Sequence, residues 1–148
     1  MLSGAWLAGA PETERNKLQR ICRDIGIAYQ LTDDLLGTFG GDSETGKPTD
    51  SDIQERKHTT LAQQALARAD KGQRERLVRV FRSAEPLDEA EVAEVRSIFV
   101  ESGAKDAVNE QAQKLSDSAH AGVYRLKISD DAAASFSELI TVLAKRNA

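Results

Sequence analysis

The sequence contains few of the residues that favour β-structure or disulfide-stabilised folds. Of its 148 residues, one is cysteine, three are proline and 5% are aromatic. The single cysteine, Cys22, cannot form an internal disulfide, which fits a reducing compartment. No segment alternates polar and apolar residues over a useful length. The sequence therefore does not predict a β-sheet.

The chain also lacks an excess of positive charge and any long apolar run. Its net charge of −4 is spread along the sequence, which argues against nucleic acid as the main partner. No apolar run approaches the ~20 residues needed to cross a bilayer. The first ten residues are too short, and lack the basic flank, for a signal peptide. We therefore expect a cytoplasmic protein without a membrane span.

Helical periodicity is present along most of the sequence. From Glu12 to Gly40, apolar positions recur at steps of three and four: Leu18, Ile21, Ile25, Ala28, Thr32 and Leu35. Residues 40–50 hold glycines and Pro48 and are predicted to form a loop. The sequence predicts an all-α fold of about six helices. The remaining helices are expected from Ser51 or Asp52 to about Ala69, over about 73–82, from Asp88, through Ala107 to about Leu126, and from Ser129.

Between Tyr29 and Leu61 the sequence combines paired carboxylates with lysines. Asp33 and Asp34 are adjacent near the C-terminal end of the long helix, where they repel each other and face the negative pole of the helix. A divalent cation would relieve this repulsion, and Mg²⁺ typically takes one or two carboxylates together with water and phosphate oxygens. For an Asp-Asp pair by itself, a solvated helix end is the more common explanation.

The residues around the pair extend the pattern. An aromatic-Gln pair precedes Asp33, and Phe-Gly, Thr-Gly-Lys-Pro, Asp52 and Lys57-His58-Thr59 follow in order. This arrangement closely resembles the second aspartate-rich region of the trans-isoprenyl diphosphate synthases (polyprenyl synthetases). The resemblance implies a helical bundle of the isoprenoid synthase type. Residues 1–148 would be the back half of that domain, with the motif at residues 29–61.

The resemblance also implies a function for particular residues. Asp33 and Asp34 would ligate Mg²⁺ that is bridged to an allylic diphosphate, and Lys47 and Lys57 would pair with the phosphate oxygens. Gln30 would lie beside the diphosphate. The implied activity is a prenyltransferase of isoprenoid biosynthesis, which condenses isopentenyl diphosphate with an allylic diphosphate; no residue is assigned a separate catalytic role. Metal ions and lysines would stabilise the departing diphosphate.

The sequence departs from the family pattern at three positions. Position 37 is Gly where many members place a third Asp, and Asp50 and Arg56 replace glycines of the common bacterial pattern. If either of these two residues needs a positive φ, its side chain costs on the order of 1 kcal/mol.

No first aspartate-rich cluster precedes the motif, so we expect the isolated chain to be inactive, and whether it is an enzyme by itself stays open. The alternatives are a non-catalytic partner subunit or a truncated remnant of such a synthase. Half of a domain should leave apolar stripes uncovered, which predicts a homo- or hetero-oligomer. The stripes concerned are Leu18, Ile21, Ile25 and Ala28, and Leu115, Ala119 and Leu126.

Overall fold

The computed structural model describes residues 1–40 and 50–144, and no β-strand occurs among them. These residues contain eight helices: α1 (Leu2–Leu7), α2 (Glu12–Phe39), α3 (Ser51–Gln54), α4 (Thr60–Arg68), α5 (Lys71–Arg82), α6 (Glu89–Glu101), α7 (Ala104–Val123) and α8 (Asp130–Ala144). None of these helices is both long enough and apolar enough to cross a membrane. The predicted all-α class is confirmed, and most of the loop expected at 40–50 falls outside the described residues.

Helix α2 forms where the periodicity predicts it, and it ends at Phe39, directly before Gly40. Its predicted apolar stripe is largely buried: Ile21, Ile25, Ala28 and Thr32 are each less than a tenth exposed. Leu18 and Leu35, at the two ends of the stripe, are half-buried. The predicted stripe is therefore the buried side of the long helix along most of its length.

The prediction of one helix from Ser51 or Asp52 to Ala69 is wrong. Helix α3 ends at Gln54 because Arg56 adopts a left-handed backbone conformation, with φ 50°. The amide of Lys57 then donates to the carbonyl of Asp52 at 2.9 Å, a pattern that closes a helix C-terminus. Helix α4 begins anew after Thr59, whose hydroxyl accepts from the amide of Ala62. Periodicity alone could not show this break.

Side-chain caps set most other helix starts. The predicted capping box of Asp88 with Glu91 begins α6 as expected. A second box, Asp70 with Gln73, was not predicted, and it starts α5 two residues earlier than expected. Ser129 accepts from the amide of Ala132 in the first turn of α8. Helix α7 ends at Val123 rather than near Leu126.

The helices form two compact units, each with its own apolar core. The first unit comprises residues 1–30 and the described residues from 111 onward, and its core is Ile21, Ile25, Ala119, Val123, Ala133 and Ile140. The second unit comprises the described residues between 31 and 110. Within it α3, α4 and α5 all pack on α6, around Ile53, Leu61, Leu77, Val80, Val95 and Phe99.

The expectation that the apolar stripes need cover from another chain is wrong for most of their members. Ile21 is 3% exposed and Ala119 is 0% exposed, because α2, α7 and α8 cover each other within the first unit. Exposed large apolar side chains occur in α1, where Leu7 is 91% exposed, and also at Tyr124 and Val142, which are 69% and 61% exposed. Oligomer formation stays a prediction.

Candidate functional site

The two adjacent aspartates near the end of α2 have different surroundings. Asp34 is buried, and its Oδ2 accepts a hydrogen bond from the backbone amide of Thr60 at 3.1 Å. Asp33 is half-buried, and within residues 1–40 and 50–144 it has no hydrogen-bond partner. Asp34 therefore ties the start of α4 to α2, whereas the carboxylate of Asp33 is uncommitted in the described part of the chain.

Helix α3 lies against α2 at Gly37. A Cβ atom added to Gly37 would be 2.6 Å from Oδ2 and 2.7 Å from Cγ of Asp52. The carboxylate of Asp52 thus occupies the space that a side chain at position 37 would need. It lies beside the α2 backbone one helical turn after Asp33. Asp52 was not among the predicted site residues; its place in the motif, together with the missing third Asp at position 37, was the available signal.

Lys57 joins this group through Asp52. Its ammonium nitrogen is 2.6 Å from Oδ1 of Asp52 and 3.1 Å from Oε2 of Glu55. The hydrogen bond with Asp52, and secondarily that with Glu55, raises the pKa of Lys57 above its ordinary value of 10.5. Lys57 therefore remains a cation at neutral pH. Its side chain is 42% exposed, so an incoming anion can reach it.

Both non-glycine residues at the glycine positions of the family pattern have positive φ, 70° at Asp50 and 50° at Arg56. Each of these side chains makes bonds that a glycine could not make. Oδ1 of Asp50 accepts from the guanidinium of Arg96 on α6, with Nε at 2.9 Å. Arg56 donates to the backbone carbonyls of Val80 at 3.0 Å and of Glu85. These charge-assisted bonds offset the backbone strain and fix α3 at both ends.

The structure brings some of the predicted site residues together and leaves others apart or undescribed. It brings Lys57 to Asp52 and to the turn of α2 that contains Gly37. Gln30 is exposed on α2, three residues before Asp33. Lys47 lies in residues 41–49, outside the described part of the chain. Thus Lys57, Asp33 and Asp34 are the predicted residues whose surroundings in the second unit can be described.

The carboxylates do not form a preformed metal cage. Among the described residues, no three His, Cys, Asp or Glu side chains are arranged to hold a metal ion. Mg²⁺ needs only one or two protein carboxylates when it arrives with a phosphate-bearing substrate and its waters. The uncommitted carboxylate of Asp33, with Asp34 beside it, fits that requirement. The donor set therefore suits Mg²⁺ bound jointly with a diphosphate.

Comparison with known proteins gives consistent matches. Residues 1–99 match the polyprenyl synthetase family. A short chain isoprenyl diphosphate synthase from Methanothermobacter thermautotrophicus is 38% identical over 104 residues, which is 70% of this chain and 31% of that protein. A (2E,6E)-farnesyl diphosphate synthase from Mycobacterium bovis is 54% identical over 56 residues, or 38% of this chain and 16% of that protein. The chain thus spans about a third or less of these relatives' length.

Solved structures show the same relation. A geranylgeranyl pyrophosphate synthase from Corynebacterium glutamicum, complexed with isoprenyl diphosphate and magnesium, superposes with a TM-score of 0.85 at 33% identity. The superposition covers 97% of this chain and 41% of that one. Nearly all of the present chain therefore has the fold found in part of a longer helical protein.

Proposed function

The chain belongs to the polyprenyl synthetase family, and we propose that residues 1–148 are the part of such a synthase domain that carries the second aspartate-rich region. In this proposal the chain contributes one wall of a site that condenses isopentenyl diphosphate with an allylic diphosphate in the cytoplasm. The site is completed by a front half that supplies the other wall. The matching relatives are prenyl diphosphate synthases, so a non-catalytic partner subunit is not favoured.

The placement of Asp52 and Lys57 carries this proposal. Their ion pair lies against Gly37, so that an exposed cation and a carboxylate are held at the helix that bears Asp33 and Asp34. Apolar packing does not require a charged pair at this position. A site that binds both a divalent cation and a diphosphate requires carboxylates for the cation and a lysine for the phosphate oxygens.

The described side chains would divide the work. Asp33 would hold Mg²⁺, and Asp34 would add its carboxylate while it keeps the first turn of α4 in place through Thr60. Lys57 would donate to the phosphate oxygens and exchange its bond with Asp52 for one with the substrate. Lys47 and Gln30 keep the diphosphate-binding roles that the resemblance implies. Mg²⁺, when bound, would supply positive charge that stabilises a departing diphosphate.

Calorimetric titration of the full chain with inorganic diphosphate tests the site directly. We expect a component of binding that requires Mg²⁺ and is absent with EDTA, a loss of at least about tenfold in the affinity of that component in Asp33→Asn, and no change of it in Asp131→Asn. Asp131 is an exposed carboxylate in the first turn of α8, so it controls for the loss of one negative charge. Equal affinities in Asp33→Asn and the parent chain would contradict the assigned metal role.

A second experiment tests the activity. The isolated chain should form no prenyl diphosphate from isopentenyl diphosphate and an allylic primer, because one wall of the site is absent. Addition of the front half of a relative, as a separate chain, should restore Mg²⁺-dependent condensation that Asp33→Asn removes. Steady release of diphosphate by the isolated chain would contradict the need for a second wall.

A further inference from the structure

A charged cavity occurs in the first unit, outside the aspartate-rich motif. It is open to solvent on one side and has a volume of about 490 Å³ between α2 and the end of α7. Four cationic side chains and one carboxylate, that of Asp24, line it. The cations are Lys17, Arg20, Arg23 and Arg125. The chain as a whole has a net charge of −4. The cavity is therefore a local concentration of positive charge in an acidic protein, which favours anions.

Only some of this charge is neutralised within the described residues. Lys17 bonds to the carboxylate of Glu14 at 2.8 Å, and Arg23 lies 3.3 Å from Asp24. The guanidinium groups of Arg20 and Arg125 have no carboxylate partner in the described part of the chain. Two arginines are thus free to bind a ligand with their planar donor forks.

The walls of the cavity are held in place by buried contacts. At Gly122 the backbone of α7 approaches α2 so closely that an added Cβ would be 2.7 Å from Cγ1 of Ile21. Ile21 is 3% exposed and belongs to the core of the first unit. Ser118 donates to Oδ2 of Asp24 at 3.0 Å, which holds the one carboxylate at the side of the cavity. Lys17, Arg20 and Arg23 therefore extend from a fixed helix, and Arg125, whose amide donates to the carbonyl of Gly122 at 3.0 Å, extends from the turn directly after α7.

We propose that this cavity binds a phosphate-bearing anion. Arginine forks match phosphate oxygens in pairs, and two unpaired arginines beside Lys17 suit a ligand with more than one negative charge. The volume lies within the ~300–1,000 Å³ of small-molecule sites. The ligand is either a free phosphate compound or the headgroup of a phospholipid. This binding is independent of the proposed synthase site: it uses no residue of the motif and needs no divalent metal.

Titration of the full chain with inorganic diphosphate, with EDTA present to remove divalent metals, tests the proposal. Removing two charge-assisted contacts in Arg20→Gln/Arg125→Gln should weaken binding at least about tenfold. The matched control is Arg79→Gln/Arg82→Gln, which removes the same charge from exposed positions of α5 and should bind like the parent chain. Arg20→Lys/Arg125→Lys keeps the charge but not the forks and should bind with intermediate affinity.

The outcomes separate this proposal from its rivals. Equal weakening in the two glutamine pairs, or no metal-free binding of diphosphate or vesicles by the parent chain, would overturn it. Co-sedimentation with phosphatidic acid vesicles, compared with phosphatidylcholine vesicles, identifies a headgroup ligand; diphosphate binding without vesicle preference identifies a free one. Asp33→Asn should leave the metal-free binding intact, so failure of the synthase site and failure of this cavity are distinguishable. Unchanged melting curves of all variants exclude unfolding as the cause.

Discussion

Helix α2 contains two glycines in opposite surroundings. Around Gly26, in the part of the helix that belongs to the first unit, no atom of the described residues outside the adjacent helix backbone lies within 4 Å of the position of an added Cβ. Around Gly37, in the second unit, the carboxylate of Asp52 already lies at 2.6 Å from that position. The same residue type is therefore tolerated for different reasons: at Gly26 the helix surface is open, and at Gly37 another segment rests on the backbone.

The comparison shows that the end of α2 is covered by charged groups. The covering segment is α3 with the turn after it, and it places Asp52 and Lys57 over the helix. Two residues in left-handed conformation border this segment, and their side chains anchor it to α6 and to the end of α5. Such a costly arrangement of strain and charge is typical of a functional site rather than of a packed core.

The largest expected effect comes from removing the hydrogen bond between Asp34 of α2 and the start of α4. Asp34→Ala leaves the amide of Thr60 without its acceptor and should lower the free energy of unfolding by about 2 kcal/mol. The neighbouring Asp33→Ala should change it by less than about 0.5 kcal/mol, because Asp33 has no partner in the described residues. Urea unfolding of the two variants measures the difference. Equal losses of unfolding free energy would show that both aspartates stabilise the contact between α2 and α4.

The anchors at the turn of α3 should give the next largest effect. Arg56→Ala loses the bonds to Val80 and Glu85 and keeps the positive φ, so it should destabilise by about 1.5 kcal/mol. Arg56→Gly loses the same bonds but relieves the strain, and should be about 1 kcal/mol more stable than Arg56→Ala. Gly103→Ala, at φ +72° with open space, provides the matched measure of strain alone. Equal stability of the two Arg56 variants would mean that backbone strain at position 56 does not affect the free energy of unfolding.

Replacing Gly26 and Gly37 by alanine tests whether their surroundings differ as described. Gly26→Ala should stabilise the chain by about 1 kcal/mol, because alanine favours the helix and no described residue obstructs its Cβ. Gly37→Ala should destabilise it by about 1 kcal/mol, because the Cβ must displace Asp52. Thermal unfolding measures the stability of both variants, and stabilisation by both would mean that Gly37 is as open as Gly26.

The smallest effect concerns the open part of α2 and its dependence on pH. A bond from Lys17, and then one from the amide of Lys127, lower the pKa of Glu14 below its ordinary value of 4.5. The stabilisation from Glu14 is therefore complete above the unfolded-state pKa and is lost as the pH falls through the lower folded-state pKa. Glu14→Gln should melt below the parent chain at neutral pH, and the gap in melting temperature should shrink as the pH falls below 4.5. A gap that stays constant with pH would contradict this.

The helices were predicted with different success, for identifiable reasons. Helix α2 and the start of α6 were predicted correctly because periodicity and a capping box are local signals. The break after α3 was missed because residues 54–60 contain no glycine or proline, while the positive φ of Arg56 is supported by bonds to the distant carbonyls of Val80 and Glu85. The covering of Ile21 and Ala119 was missed because it depends on α8, which is distant in sequence.

The candidate site was also predicted only in part, and for the same reason. Asp33, Asp34 and Lys57 were proposed from a motif, since order and spacing are properties of the sequence. The different surroundings of the two aspartates, and the proximity of Asp52 to Gly37, could not be read from the motif because they join segments separated by turns.

By itself the sequence determined the helical class, the family and the residue types of the site. These follow from periodicity, caps and a motif, which involve residues close together along the chain. The tertiary structure decided which carboxylate is buried, where Asp52 lies and which cations remain unpaired in the first unit. Those properties depend on contacts between residues far apart in sequence, where burial and charge pairing are set by the packing of whole helices.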